Sequence, residues 1–554
     1  MKLLKCIACG LILGTALAGP ALAVEPGAPE QLILRLDAVK LEVQKRLNGK
    51  LKTPTERDKD EIGALVEFYS EQDNAPVWVD EKGLNDKARA IMKEFAKAGE
   101  YGMTPSDYPV PEQSAPDASK PYPAEWLAEA ELMLSRSAIA YTNHARGGRI
   151  DPSSIGGSLD PTLRLPDPHD VMVKVAAASD PAEVIRGYQP KHPQFDLLRK
   201  RLAEINGGEA KKQVVVPDGP MLKPGVKHAS VEKLRERLGL EAPKDGKADL
   251  YDDAVAEAVK EFQASRGLKP DGVFGSSTRN AINARPKDRA KTILANMERW
   301  RWIPDDTEGM QVRVNVPEFM FRVLKDGKVI HTERVVVGKA ETKTPIFSDE
   351  MERIEFNPYW NVPDSIKVEE ILPNLRRRSE TGGGFFSSFV TGNPRWVARN
   401  NIEIKYNGRQ VDPTQIDWDK VDIRKFHFYQ PPGGPNVLGV VKFMFPNKHD
   451  VYMHDTSSRS LFNQTVRTYS HGCMRVRDPL KFAELLLSGE ENWSMGRIQG
   501  VVKSGNHFPV QLTKTVPVHI SYFTAEVTAD GTVKYLNDIY GHDARIAAAL
   551  NSKD

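Results

Sequence analysis

Thr468-Tyr469-Ser470-His471-Gly472-Cys473-Met474-Arg475-Val476, with His454 upstream in Val451-Tyr452-Met453-His454-Asp455, is the stretch on which the reading of this chain turns. A cysteine beside a histidine and a glycine, with a second histidine earlier in the chain, is the minimum equipment of a thiol nucleophile. A free thiol is only a few per cent thiolate at neutral pH, so it needs a base or a positive field. His454 and His471 are the candidate bases. Gly472 removes a side chain just before the nucleophile, which leaves room for the N–H groups of Gly472 and Cys473 to point at a developing oxyanion. The chemistry these residues suit is acyl transfer through a thioester. A zinc site is the competing reading, because His454, His471 and Cys473 are all ligand types. No Cys-x-x-Cys or His-Glu-x-x-His accompanies them, however, and His471 and Cys473 sit too close in sequence to chelate comfortably together. No metal and no cofactor is expected.

The rest of the composition sharpens this. Lys2 and Lys5, an apolar run from Cys6 to Leu17, and Ala21-Leu22-Ala23 make the three-part pattern of a secretory signal peptide over residues 1–23. Of 3 cysteines, Cys6 and Cys9 would leave with it, so Cys473 is expected to be the lone thiol of the mature chain. An unpaired thiol in an oxidising compartment is better explained by reactivity than by packing. No later segment approaches the roughly 18 unbroken apolar residues of a membrane span. The 77 basic and 75 acidic residues give a net charge of +2 and are spread along the chain, which argues against a nucleic-acid partner. At roughly 100 to 200 residues per domain, 554 residues allow three or four domains.

Residues 24–206 read as a helical scaffold region. Thr53-Pro54-Thr55-Glu56 opens a helix in which Ile62, Leu65, Val66 and Tyr69 share one face, and a proline-rich loop from Tyr108 to Pro123 precedes a second helix, Ala124 to His144. Gly207 to Gly225 reads as a linker. Over 226–286 a small helical module follows, with Val231, Leu234 and Leu238 on one helix and Val255, Ala258, Val259 and Phe262 on the next; Asp271-Gly272 marks a turn, and Ser276 or Ser277 a helix cap. Residues 287–310 carry a connecting helix ending in Arg299-Trp300-Arg301-Trp302. From 311 to 545 the period changes to two: Val312, Val314 and Val316 alternate, as do Phe319, Phe321 and Val323, and Asp326-Gly327 turns into a return strand, Val329 to Val337. A second hairpin is expected around Asp530-Gly531. Between 370 and 437 the alternation is lost to charged and Gly/Pro-rich sequence, as in an inserted lid or binding loop.

Phe262-Gln263, Asp271-Gly272 and Thr278 together resemble the peptidoglycan-binding domain of cell-wall hydrolases and transpeptidases. His454, then Ser470-His471-Gly472-Cys473 with Arg475, resemble the L,D-transpeptidase catalytic domain. Val316-Pro317-Glu318-Phe319, Asn357-Pro358-Tyr359-Trp360, Phe443-Met444-Phe445-Pro446-Asn447 and Asp538-Ile539-Tyr540-Gly541-His542-Asp543 resemble its large multidomain periplasmic branch. The resemblance implies a multidomain α+β protein: a helical scaffold, a three-helix wall-binding module, and a mainly-β catalytic domain with a capping subdomain inserted at 370–437. The stretch Thr381 to Phe389 departs from what that cap should contain.

The resemblance also assigns roles. Cys473 would be the nucleophile and His454 the general base, its ring oriented by the carbonyl of Asp455. His471 and Gly472 would serve the thiolate and the oxyanion. Arg475 would hold a stem-peptide carboxylate, with Tyr452, Ser470 and Asp455 also on the substrate side. The implied reaction joins stem peptides of peptidoglycan 3→3 with release of D-Ala from a tetrapeptide donor. L,D-carboxypeptidase or cross-link hydrolase action, or attachment of a lipoprotein to the wall, would be other outcomes of the same acyl-enzyme. Carbapenem acylation, a periplasmic location, stem peptides and glycan as ligands, and cell-wall synthases as candidate partners are implied with it. The rival from another class is a peptidoglycan-binding scaffold protein, which a thiol pKa at or above the ordinary value would favour.

Overall fold

The computed structural model describes residues 28–49, 56–72, 75–112, 122–207, 214–243, 246–266, 268–284, 286–305, 308–376 and 394–552. The expected signal peptide, the capping sequence Thr53-Pro54-Thr55 and the stretch Thr381–Phe389 lie outside them. The chain divides into two compact units, residues 1–92 with 110–136 and residues 93–109 with 137–554. The helical region expected as one domain is therefore shared between them. The cause is visible at Leu159, which is fully buried in the same core as the strands from Met310 onward.

In the first unit the helix Glu56–Glu71 buries Leu65, Phe68 and Tyr69. Glu131, on the helix Ala124–Gly147, is its polar centre. Its carboxylate accepts from Tyr69 Oη at 2.6 Å and from the N–H groups of Val77 and Trp78 at 2.7 and 2.8 Å.

The second unit is built on a nine-stranded mixed sheet. In spatial order its strands are Thr468–Ser470, Lys328–Gly338, Met474–Val476, Met453–His454, Val441–Met444, Ser348–Phe356, Phe508–Ser521, Met310–Asn315 and Met320–Lys325. Met320–Lys325 also pairs with Lys328–Gly338, so the sheet closes on itself. Asp326 and Gly327 make that hairpin at φ 50° and 75°, the positive values a two-residue turn needs. Val312, Val314, Phe321 and Val323 face the enclosed core, as the period-two pattern requires.

The module at 226–286 has three helices, Ser230–Leu238, Asp253–Ser265 and Ser276–Asn283. Gln263 explains its sequence signature. This buried amide donates to Val273 O and Thr278 Oγ1 and accepts from Gly272 N, tying the turn to the third helix. That helix is capped by Gly275, without a side-chain cap from Ser276 or Ser277. The presumed linker joins the module, since Val216 and Leu222 lie in its core and Leu222 bridges to Phe274. The connecting helix Pro286–Trp300 serves as a junction: Trp300 stacks between His192 and Phe523, and Arg299 pairs with Asp543 at 2.6 Å.

The insertion is more than loop. A four-stranded sheet of Trp360–Asn361, His427–Gln430, Glu403–Tyr406 and Arg409–Gln410 covers its own apolar cluster, centred on Leu375, Trp418 and Phe428. The strands are two to four residues long, too short to show a period in the sequence.

Candidate active site

Alternation along three neighbouring strands sorts the site from the core. Met453, Met474, Val476, Val441 and Phe443 point inward and are fully buried, each large apolar side chain contributing ~1.5–3 kcal/mol by burial. The residues between them, Tyr452, His454, Cys473, Arg475 and Lys442, therefore share the other face. The register aligns them: Met453 pairs with Met474, His454 with Arg475, and Lys442 with His454. Cys473 is thus placed beside Tyr452, at the entry to a strand held parallel to that of His454.

His454 is buried, and its Nδ1 lies 2.5 Å from the carbonyl oxygen of Asp455. That contact makes Nδ1 the protonated nitrogen and leaves a lone pair on Nε2. Burial, then the cations of Arg475 and Lys442, push the imidazole down to about 3. The imidazole is therefore neutral at neutral pH.

Cys473 is partly exposed, and its Sγ–H is directed at Asp450 O, 3.8 Å away. Burial pushes the thiol up, against the opposing pull of the Tyr452 backbone, Lys442, the Tyr452 hydroxyl and Arg475. A raised thiol is the outcome that the scaffold-protein alternative predicts. The resting pair is thiol and imidazole.

The loop before Cys473 is held by hydroxyls. Thr342 Oγ1 donates to Ser470 O at 3.1 Å and Thr344 Oγ1 to Gly472 O at 2.7 Å. Gly472 is at φ +115°, whereas a Cβ there would meet nothing closer than 3.6 Å. Glycine is required by conformation, then, and not by room. Its N–H donates to Ser470 Oγ at 3.3 Å.

Two expected substrate contacts turn out to be internal. Ser470 is buried with its hydroxyl on Gly472. The Asp455 carboxylate accepts from Val440 N and Thr456 N and pairs with Arg459 at 2.6 Å. Arg475 differs: among the described residues its buried Nε has no partner. His471 turns its Nε2 to Glu370, 2.8 Å away at the root of the insertion.

Sequence reasoning passed over Lys442 and Glu370. Lys442 Nζ sits 4.2 Å from the centroid of the Tyr452 ring, whose edge meets His454. Its signal was available as the single charge in Val440-Val441-Lys442-Phe443-Met444. Glu370 gave none, lying in the charged run where the alternation fails.

Fold and site together set a cysteine and a buried histidine on one face of a closed β-sheet. Residues 309–510 match the family described as the L,D-transpeptidase catalytic domain, residues 227–282 the peptidoglycan-binding domain, and residues 63–202 a scaffold domain. A Haemophilus influenzae protein named "Putative L,D-transpeptidase" is 32% identical over 258 residues, 46% of this chain and 49% of its own length. A Bacillus licheniformis "Probable N-acetylmuramoyl-L-alanine amidase" is 33% identical over 16% of this chain and 28% of its own length. The chain thus spans about half the length of the first relative and just over a quarter of the second. The crystal structure of an L,D-transpeptidase from Xylanimonas cellulosilytica aligns at 16% identity over 55% of this chain and 99% of its own, with a TM-score of 0.17, too low to bear on the fold. The chain thus carries an L,D-transpeptidase catalytic domain at residues 309–510 and a peptidoglycan-binding domain at residues 227–282.

Proposed function

We propose that the protein acts outside the cytoplasm as a peptidoglycan L,D-transpeptidase, making 3→3 cross-links through a thioester on Cys473. The observation that carries this reading is the neutral His454 imidazole, with Nδ1 fixed on Asp455 O, on the same sheet face as Cys473. His454 Nε2 takes the thiol proton as Sγ attacks the carbonyl of the third residue of a tetrapeptide stem. Negative charge growing on sulfur raises the basicity of the neighbouring imidazole as it does so. The tetrahedral intermediate collapses, the C–N bond to D-Ala breaks, and the imidazolium returns its proton to the leaving amine. An acceptor amine, its ammonium proton already given to solvent, then attacks the thioester; His454 takes a second proton from the nitrogen as the new C–N bond forms and passes it to sulfur as the C–S bond breaks, which restores the thiol. The wall-binding module and the unpartnered Arg475 supply the ligand side, the latter for a stem carboxylate.

Incubating the protein with purified disaccharide-tetrapeptide and analysing the muropeptides tests this. Loss of D-Ala with dimers joined through two third-position residues is the expected result, together with a mass shift on Cys473. Tripeptide monomers alone would make the protein a carboxypeptidase, and unchanged substrate without adduct would leave a wall-binding protein.

A further inference from the structure

Asp538-Ile539-Tyr540-Gly541-His542-Asp543 lies far from Cys473 in sequence, yet it is tied by hydrogen bonds to the residue that precedes it. The segment braces itself first. The Asp538 carboxylate accepts from the N–H groups of His542 and Asp543 at 2.8 and 2.9 Å and from Tyr522 Oη at 2.7 Å. Tyr522 Oη accepts in turn from Tyr540 N at 2.7 Å, and the two rings stack with centroids 5.6 Å apart. Both the backbone and the ring of Tyr540 are thus fixed.

The buried Tyr540 hydroxyl closes a clasp. It donates to Gly338 O at 2.6 Å and accepts from Thr344 N at 3.2 Å, so one oxygen holds both ends of the loop 338–344. Burial lifts the phenol above its ordinary 10.0, and the hydroxyl keeps the proton it donates. Inside the clasp Thr344 Oγ1 accepts from Gly338 N at 2.9 Å and donates to Gly472 O at 2.7 Å. Because the peptide unit joining Gly472 to Cys473 is planar and trans, anchoring its carbonyl sends the Cys473 N–H in the opposite direction. Among the described residues that N–H has no acceptor, whereas the Gly472 N–H is taken by Ser470 Oγ at 3.3 Å. Cys473 N–H is the donor left for an oxyanion on the carbonyl that Sγ attacks.

We propose that Tyr540 is a positioning residue for acylation: through Thr344 and the Gly472 carbonyl it aims the Cys473 N–H at the oxyanion of the tetrahedral intermediate. This rests on the transpeptidase reading above. Tyr540 touches no substrate. Its hydroxyl acts by holding Thr344 in the one orientation that serves Gly338 and Gly472 together, so the two hydroxyls work in series and neither suffices without the other.

The test compares two reactions of the same thiol in the full-length protein. Alkylation by iodoacetamide is a displacement at saturated carbon and forms no carbonyl oxyanion, whereas D-Ala release from disaccharide-tetrapeptide passes through one. Tyr540→Phe keeps the stacked ring and lacks the hydroxyl. It should lower kcat for D-Ala release about 10- to 100-fold, short of the loss on removing such a donor outright, with KM within threefold and the alkylation rate constant within about twofold. Thr344→Val should do the same, and the double variant should fall no more than about threefold below the slower single one, as expected of two groups in series. Sites are counted from the alkylation amplitude, so a partly misfolded preparation does not disturb the comparison. Equal losses in both reactions, a loss confined to KM, an unchanged kcat, or losses that multiply in the double variant overturn the positioning role while the acyl-enzyme stands. An unaltered protein that is alkylated yet releases no D-Ala overturns the transpeptidase reading and this role with it.

Discussion

His471 Nε2 lies 2.8 Å from a carboxylate oxygen of Glu370, so the loop before Cys473 and the root of the inserted subdomain meet at this pair. The two side chains are 29% and 50% exposed, which limits the pair to under ~1 kcal/mol of stability. Its effect should fall on substrate engagement. Glu370→Gln is expected to change stability by less than ~1 kcal/mol in urea melts while raising KM for the donor stem about 3- to 10-fold, with kcat changed less. A loss confined to kcat would remove Glu370 from any part in docking the donor.

The resting protonation of Cys473 and His454 predicts a particular pH dependence. Burial lifts the thiol, so alkylation of Cys473 by iodoacetamide should titrate with a midpoint above 9.0, without a thiolate plateau at neutral pH. Burial and the flanking cations set His454 at about 3, below its ordinary 6.5. A histidine lowered in this way stays neutral as pH falls through 6.5; the stability linked to it is complete above 6.5 and is lost progressively towards 3. Acylation should accordingly show no acid limb near 6.5, and His454→Gln should slow it by about 10²- to 10⁴-fold. An acid limb centred at 6.5 would mean that the imidazole is not held neutral by its burial.

How far the sequence carried the reading depended on whether the signal was local. The hairpin of Met320–Lys325 with Lys328–Gly338 was legible because alternation and an Asp-Gly turn coincide there. Phe508–Ser521 was not read as a strand, although it is the sheet's longest. Its exposed half in Lys514 and Thr515 and an irregular register between Gln511 and Val516 blur the period. Cys473 and His454 were singled out from residue chemistry, and the strand pairing puts them on one face. Their relation to Lys442 could not be read from the sequence, because it depends on strand register, a property of pairing across the sheet. Ser470 and Asp455 looked like ligand contacts for a similar reason: a hydroxyl or carboxylate in a motif does not reveal whether a backbone N–H already occupies it.

Gly439 tests how the base is held. A Cβ there would lie 2.2 Å from Asp455 Oδ2, and its φ of +62° already disfavours any side chain. Gly439→Ala should therefore displace Asp455, whose carbonyl orients the His454 ring. A stability loss of ~2 kcal/mol or more is expected, with acylation slowed at least 10-fold in the molecules that remain folded. Gly408→Ala is the control. At φ +79° with nothing within 4 Å of the added Cβ, it carries only the backbone cost of ~1–2 kcal/mol and should leave acylation alone. Equal loss of acylation in both variants would separate Gly439 from the His454 mechanism.

Glu131 makes the first unit's stability depend on pH. Burial, opposed by the hydrogen bonds from Tyr69, Val77 and Trp78, raises its carboxyl from 4.5 to about 7. Because the folded value lies above the unfolded one, the linked stability is fully present below 4.5 and is lost as pH rises through about 7. Within that window the slope approaches ~1.4 kcal/mol per pH unit. Glu131→Gln abolishes the slope but turns an amide NH₂ towards the N–H of Trp78, so it should cost ~1–3 kcal/mol at pH 5, where the wild-type carboxyl is protonated and most stable. Hydrogen exchange at the Val77 and Trp78 amides reads this unit directly. Protection in the unaltered protein should fall from pH 5 to pH 7 after correction for intrinsic exchange, and in the variant it should be lower but flat. A flat profile in the unaltered protein would mean that Glu131 stays ionised throughout, with its three donors outweighing its burial.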